Sequence, residues 1–385
     1  MHSFTHIVRS MELCTRLERD LIVRQHLPGD EDQIVKLLQI VFQGWPHFDL
    51  DHSSKDHWDW KFLDNPIKNQ LAFVAEFENK IVGCDHMLMN RIKLGRKIFQ
   101  CKQGVDAAVH PNFRGIGVYS KIRAYEMEVE LDFSPPLGLI YYASGNPIII
   151  NKEEVLGYRR FPHPIVHLVR ILNIDSHLKK YNLTKKTLLK YGYNTLKILN
   201  LIQNSLKKTK VVESKLRIVD INRFDERIEV FWDKIKDDYS FIAERSREYL
   251  NWRYCDPRGG KYIIKEAEED GAIIGYVVLR VNNYVSDYPT GFIVDLNTLW
   301  DHPDCADALI AESLRFFDET KINIVNYCIV KGHPYEKQFK KFGFVNSRND
   351  IYVAYRSGSD VPELEDFKYS TPDKMLFQYG DIDLI

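Results

Sequence analysis

Hydrophobic and polar positions alternate along the chain between two periods. Residues 21–25 form the short apolar run of a strand, and residues 30–42 place Ile34, Leu37, Leu38 and Val41 at the spacing of one helix face. Residues 54–63 read as a second helix. Two strand-like runs, 72–78 and 81–91, meet at Glu78-Asn79-Lys80 and are followed by strands at 97–102 and 104–109. Helical spacing returns over 114–132, at Ile116, Tyr119, Ile122 and Met127. Residues 139–143 then read as a strand and 147–156 as a helix. Strands, helix, strand, helix in this order predict an α/β (α+β) fold, a mixed and largely antiparallel sheet flanked by helices.

The plan recurs. Trp60-Lys61-Phe62 with Pro66 matches Trp252-Arg253-Tyr254 with Pro257. Gly83 follows Trp60, and Gly275 follows Trp252, at the same separation of 23 residues. Asp106 recurs as Asp295, and Asn146-Pro147 with Gly157-Tyr158 recurs as His333-Pro334 with Gly343-Phe344. This predicts a duplication with an N-terminal extension (1–20), a first domain (21–162), a linker (163–215), a second domain (216–358) and a C-terminal tail (359–385). A length of 385 residues also favours two domains over one.

Between the copies, residues 161–210 hold ten Lys and Arg against one acid, Asp175, with apolar spacing at Leu189, Leu196, Leu199, Ile202 and Leu206. A basic amphipathic helix has the chemistry to lie on a membrane surface or an acidic partner. A linker helix packed on both halves is the plainer expectation.

Composition narrows the classes of function. With 53 Lys+Arg against 54 Asp+Glu, the net charge of −1 offers no global field, so no nucleic-acid partner is expected. The six cysteines, at 14, 84, 101, 255, 305 and 328, include no Cys-x-x-Cys pair. They read as buried free thiols, with a Cys84–Cys101 contact across a hairpin as the one pairing to consider. No long apolar run or signal-type start is present, and the expectation is a cytoplasmic protein. His52, His57 and His86 lack helical ligand spacing, so no metal is expected.

Chemistry concentrates in residues 105–121. An apolar strand ends at His110-Pro111, where proline stops the ladder. Gly115 and Gly117 then let the backbone turn tightly and approach a ligand as a helix begins. Free amides at a helix start, with the positive end of the dipole, receive a pyrophosphate, and Arg114, Lys121 and Arg123 add positive charge. The stretch is neither a Walker loop nor a three-glycine dinucleotide fingerprint.

It resembles motif A of the GNAT acyltransferase superfamily, Arg/Gln-x-x-Gly-x-Gly/Ala, in Arg114 and Gly117. Tyr119 departs from the final small residue. Asn79-Lys80-Ile81-Val82-Gly83, Asn146 and Gly157-Tyr158 extend the resemblance over residues 21–161. Residues 216–355 resemble the same fold without the motif, reading Asp301-His302-Pro303-Asp304-Cys305-Ala306 at its place. The resemblance implies two tandem GNAT-like domains, of which the first binds acetyl-coenzyme A or another short acyl-coenzyme A. Ala108, Val109, His110, Arg114, Gly115, Ile116, Gly117, Val118, Tyr119 and Asn146 are the implied cofactor contacts.

The reaction implied is direct attack of a small-molecule amine on the thioester. Backbone N–H groups of Ala108 to His110 would face the developing oxyanion. Asp106, Glu76 and His110 are candidate bases. The tyrosine that usually serves as acid is replaced by Glu153, with Tyr141, Tyr142 or Tyr119 as substitutes. The carboxylate of Ile385 is a further candidate base. Asp106 also has a structural reading, because it recurs as Asp295. The alternatives are a tandem-GNAT transferase of aminoacyl groups, against which the intact loop argues, and a non-catalytic acyl-coenzyme A-binding protein.

Overall fold

The computed structural model describes residues 20–68, 71–131, 139–144, 151, 154, 157–180, 216–285, 287–347, 350–357 and 361–383. The first half runs β1 (Ile22–Gln25), α1 (Glu31–Phe42), α2 (Ser54–Trp58), β2 (Leu71–Phe77), β3 (Lys80–Leu94), β4 (Lys97–Val109), α3 (Val118–Leu131) and β5 (Leu139–Ser144). Then come β6 (Arg159–Arg160), β7 (Ile165–Ile171) and α4 (Ile174–Lys180). The second half repeats the order as β8 (Arg217–Ile221), α5 (Arg227–Ile235), β9 (Phe241–Ala243), α6 (Arg247–Leu250), β10 (Ile263–Glu269), β11 (Ala272–Asn282), β12 (Thr290–Thr298), α7 (Pro303–Glu319), β13 (Ile324–Val330) and α8 (Pro334–Lys341). It closes with β14 (Val345–Asn346), β15 (Tyr352–Arg356) and α9 (Glu363–Phe367).

Local chemistry accounts for most boundaries. Ile34, Val35, Leu37 and Leu38 are the buried face of α1. A capping box between Ser53 and Asp56 starts α2, and at α6 the Ser246 side chain accepts from the Tyr249 N–H without the reciprocal bond. Both helices then widen into a π turn, Asp59–Leu63 and Asn251–Cys255, the first inside the continuous helix expected over 54–63. The strands expected at 97–102 and 104–109 are one strand, because Gly104 keeps its place in the ladder opposite Met87.

Each half contributes a sheet, and the sheets exchange strands. The first is ordered β1-β2-β3-β4-β5-β15-β6, with β9 added to β3, and the second β14-β7-β13-β12-β11-β10-β8. Residues 165–171, assigned by sequence to the basic linker, are thus a strand of the second sheet, and 352–356 is a strand of the first. The expected division at 162 and 216 does not follow the sheets. The reason is hydrophobic: Ile165, Val166 and Leu168 on one crossing strand, and Val353, Ala354 and Tyr355 on the other, are buried by pairing with the opposite half. Each crossing strand covers an edge that would otherwise be open. The basic helix expected from 189 to 206 lies outside the described residues.

The duplication has a physical seam. Trp60 and Trp252 stack with ring centroids 4.9 Å apart. Each indole N–H donates to the other's carbonyl, Trp60 to Trp252 O at 3.0 Å and Trp252 to Trp60 O at 3.1 Å. The two strand glycines are equally matched, Gly83 beneath α3 and Gly275 beneath α7. Cys84 pairs with Ala108 and Cys101 with Asn90, so the two thiols do not face across the hairpin. Cys84, Cys101, Cys255, Cys305 and Cys328 are free.

A Cβ on Gly83 would lie 2.9 Å from Val118 Cγ1 and 3.0 Å from Ile122 Cδ1. Gly83→Ala is therefore expected to destabilise the chain by about 1–3 kcal/mol through overpacking. A thermal scan checks this. An unchanged midpoint would show that α3 is not seated on β3 as described.

Candidate active site

The loop 114–117 is built as its composition requires. Pro111–Phe113 makes a single 3-10 turn after His110, and Gly115 and Gly117 take φ of +80° and +85°. Residues with a Cβ avoid that left-handed region. Nothing lies within 4 Å of the position a Cβ would take on either glycine, so both face open space. α3 follows at once, and its first amides have no partner within the helix. Val118 and Ile122 bury one face of α3 against the sheet, with Tyr125 and Val129 packed beside them. Met127, predicted on that face, is exposed.

The charges expected around the loop separate. Arg114 is exposed and its Nε donates to Val109 O at 3.1 Å. Lys121 is also exposed. Arg123 instead is buried in an ion pair with Glu126, beside Lys102, which bridges Glu126 and Glu130. Arg123 belongs to that buried network and does not serve an anion at the loop.

β4 and β5 run parallel and pair only from Cys101–Leu139 to Gln103–Tyr141. Beyond that point, among the described residues, β4 continues along β3 alone, which opens a splay next to the loop. His110 N–H donates to Val82 O at 2.9 Å and is not available to an oxyanion. Antiparallel pairing alternates, so Ala108, two residues earlier, also points its N–H into the ladder. Of the three amides proposed from sequence, only that of Val109 points away from β3. His110 Nδ1 accepts from Asn112 N–H at 3.3 Å and so braces the turn.

Of the candidate bases, the structure places Asp106 at a cavity and Glu76 away from it. Glu76 is clamped by Arg24, whose Nη2 is 2.7 Å away and which also binds Asp30 at 2.6 Å. This network ties β1, β2 and the start of α1 together and leaves Glu76 a structural residue. Asp106 sits in a β-bulge of β4 with φ +50°. Its carboxylate accepts from Trp45 Nε1 at 2.9 Å and from Lys61 Nζ at 2.6 Å. Lys61 also reaches Asp383 Oδ2 at 2.5 Å. One buried ammonium thus bridges two carboxylates, one from β4 and one from the C-terminal tail.

Burial pushes the Asp106 carboxyl above the ordinary range against the pull of Lys61. Burial acts on Asp383 too, but Lys61 and Arg253 together hold it below that range. Burial likewise opposes the charge on Lys61, and its two carboxylates outweigh that effect. His57 is pushed down to about 3 by burial and by Lys61, and its Nδ1 pairs with Arg258 O at 2.7 Å. His86, also pushed to about 3 by burial, accepts from Trp58 Nε1 at 3.1 Å. Its proton is therefore on Nδ1, which holds the Asp106 carbonyl at 3.2 Å and fixes the bulge.

A cavity of about 280 Å³ opens beside this triad. Phe42, Trp45, Phe48 and His57 form its aromatic wall, and Lys61, Asp106 and Asp383 its charged one. Lys61, Trp45, Phe48 and Asp383 were not singled out from sequence. The basic residue beside each repeated tryptophan, Lys61 and Arg253, was the available signal. Tyr142 lies on β5 paired with Ala354, but its side chain is outside the described residues, as are Asn146, Glu153 and Ile385. Tyr141 is buried, with its hydroxyl donating to Asp381 O at 2.8 Å and accepting from Asn90 at 2.6 Å.

The second half has the frame without the site. α7 starts directly at Pro303, with no glycine loop and with Glu269 and Asp301 flanking His302. Asp295, the counterpart of Asp106, is fully buried. It binds Arg245, Tyr254, Tyr276, Asn297 and Gln378. The tail fills this place: Gly380 packs on Asp295 so closely that a side chain there would collide with the Tyr254 hydroxyl. Among the described residues no group of three or more His, Cys, Asp or Glu is arranged to hold a metal, and no helix is long and apolar enough to cross a membrane.

No protein-family model and no curated protein matches the chain. Solved structures do. The chain is similar to N-myristoyltransferase from Saccharomyces cerevisiae with bound myristoyl-CoA, at 12% identity and TM-score 0.58, over 95% of this chain and 85% of that one. It is similar to a tandem GNAT protein from the clavulanic acid biosynthesis pathway, at 12% identity and TM-score 0.55, over 89% of this chain and all (100%) of that one. A GCN5-related N-acetyltransferase from Anabaena variabilis ATCC 29413 gives 11% identity and TM-score 0.56, over 88% and 73% of the two chains. Likeness at this level of identity establishes the fold.

Proposed function

With the tandem GNAT fold as premise, we propose that this chain transfers an acyl group, most simply acetyl, from an acyl-coenzyme A to an amine by direct attack. The observation that carries the reading is the open glycine loop, Arg114 to Gly117, at the start of α3 and beside the β4–β5 splay. The cofactor's pyrophosphate would meet the amides of the loop and of the first turn of α3. Its thioester carbonyl would reach the splay, where Val109 N–H is the donor aimed away from the ladder. The first half holds the cofactor. The second half, its own loop absent and its Asp295 position filled by the tail, would act as scaffold and close the acceptor side.

Asp106 is the proposed base. It lines the cavity, lies three residues before Val109 on the same strand, and its raised carboxyl can take a proton from an entering ammonium. Isothermal calorimetry with acetyl-coenzyme A tests the cofactor, and absence of heat at millimolar ligand would refute the proposal. Asp106→Asn is expected to lower kcat by on the order of 10²- to 10⁴-fold, with the acetyl-coenzyme A affinity kept. A base works ionised, so native activity should climb with pH through the raised carboxyl value, and the Asn variant should lose that limb. Thiol release followed against pH checks both. Unchanged kcat in the variant would move the base elsewhere.

A further inference from the structure

We propose that the cavity beside Asp106 selects a small monoamine with one flat apolar body, an arylalkylamine, and that Asp383 of the C-terminal tail is a residue of that selectivity. The proposal rests on the acyltransferase reading for the fate of the amine but not for its binding.

Three features define the occupant. The cavity, about 280 Å³, falls just below the roughly 300–1,000 Å³ of drug-sized ligand sites, so it suits one ring with a short chain. Phe42, Trp45 and Phe48 line it, with Pro46, His47 and His57, and an aromatic lining packs on a flat apolar group and favours a cation beside it. The charged side chains lining it are Lys61, Asp106 and Asp383, one positive against two negative. Carboxylates only accept hydrogen bonds, so a ligand that brings N–H donors and one positive charge completes the set. A ligand carboxylate would face two like charges.

Two further cations stand nearby without lining the cavity. Arg253 Nη2 contacts Ile382 O at 3.4 Å, and Arg280 lies on the Phe48 ring with Cζ 3.7 Å from its centroid. They hold the tail and the aromatic wall in place. Asp383 reaches the cavity only because the preceding tail residues are buried: Ile382 is 1% exposed, and Asp381 pairs with Arg245 at 2.6 Å. The selectivity therefore depends on the segment Asp381 to Asp383.

The test is equilibrium binding to the full chain, by calorimetry or ligand-observed NMR, of 2-phenylethylamine, 2-phenylethanol, 3-phenylpropionate and spermidine. 2-Phenylethylamine should bind at least about tenfold tighter than the neutral alcohol. 3-Phenylpropionate should be weaker than both, and spermidine weaker than the aryl amine. Asp383→Asn should cut the amine-over-alcohol preference several-fold. Phe48→Leu, which keeps apolar bulk but removes the ring face, should do the same and serves if the tail is unsettled in the first variant. Equal or tighter binding of the alcohol, the acid or spermidine, or no binding of the amine at millimolar concentration, overturns the proposal. Acetyl-coenzyme A is titrated separately. Cofactor binding without amine preference sinks the acceptor assignment alone, and amine preference without cofactor binding sinks the acyltransferase reading alone.

Discussion

Gly117→Glu is expected to weaken acetyl-coenzyme A binding by roughly 100-fold or more, about 3 kcal/mol. Two independent effects act. Gly117 holds φ at +85°, a conformation that costs a residue with a Cβ on the order of 1–2 kcal/mol. The glutamate would also place a carboxylate at the helix start where an anion is to sit, turning attraction into repulsion. Gly117→Ala separates them. Nothing lies within 4 Å of the added methyl, so it carries only the backbone strain and should weaken binding by about tenfold or less. Calorimetry on the three proteins reads the series. Undiminished binding in the glutamate variant would show that the pyrophosphate lies elsewhere.

Arg245→Met is expected to destabilise the chain by about 3–5 kcal/mol at pH 7, the range for removing one partner of a buried ion pair. Arg245 is 1% exposed, with Nη2 2.6 Å from Asp381 and Nε 2.8 Å from Asp295. Methionine would leave two adjacent buried carboxylates without their cation. Burial already pushes the Asp381 carboxyl above the ordinary range in the presence of Arg245. Without the cation it rises further. An acid whose folded value is raised adds stability below its unfolded value, about 3.9, and loses it as pH rises through the folded value. The variant's deficit should therefore shrink between pH 7 and pH 5. Urea denaturation at the two pH values measures it. A pH-independent deficit, or one below about 1 kcal/mol, would mean that the carboxylates find other partners.

Arg245, Asp295 and Asp381 also bear on the difference between the halves. Asp106 and Asp295 occupy matched positions and each binds a cation. Asp106 keeps one side toward a cavity, whereas Asp295 is enclosed by two tyrosines, Asn297, Gln378 and the tail. The same duplicated frame thus yields a cavity beside Asp106 in the half with the glycine loop and a packed polar core around Asp295 in the half without it.

What the sequence determined by itself is whatever depends on a few consecutive residues or on a repeated spacing. The Arg114–Gly117 loop was legible because positive φ, a proline stop and a helix start are local properties, and the structure shows all three. The duplication was legible because Trp60 and Trp252, and Gly83 and Gly275, do the same packing at the same separation. Which charged groups meet is set by packing between distant segments. Asp106 and Glu76 are both strand carboxylates to a reader of the sequence, and it is Arg24 and Lys61, brought from other elements, that make one a brace and the other a cavity residue. Arg123 beside the loop turned inward to Glu126 for the same reason. The exchange of strands 165–171 and 352–356, and the arrival of Asp383 at Lys61 across 322 residues of chain, are pairings between distant segments. Their free energy comes from edges covered and charges matched only after both halves have formed, so no local pattern announces them.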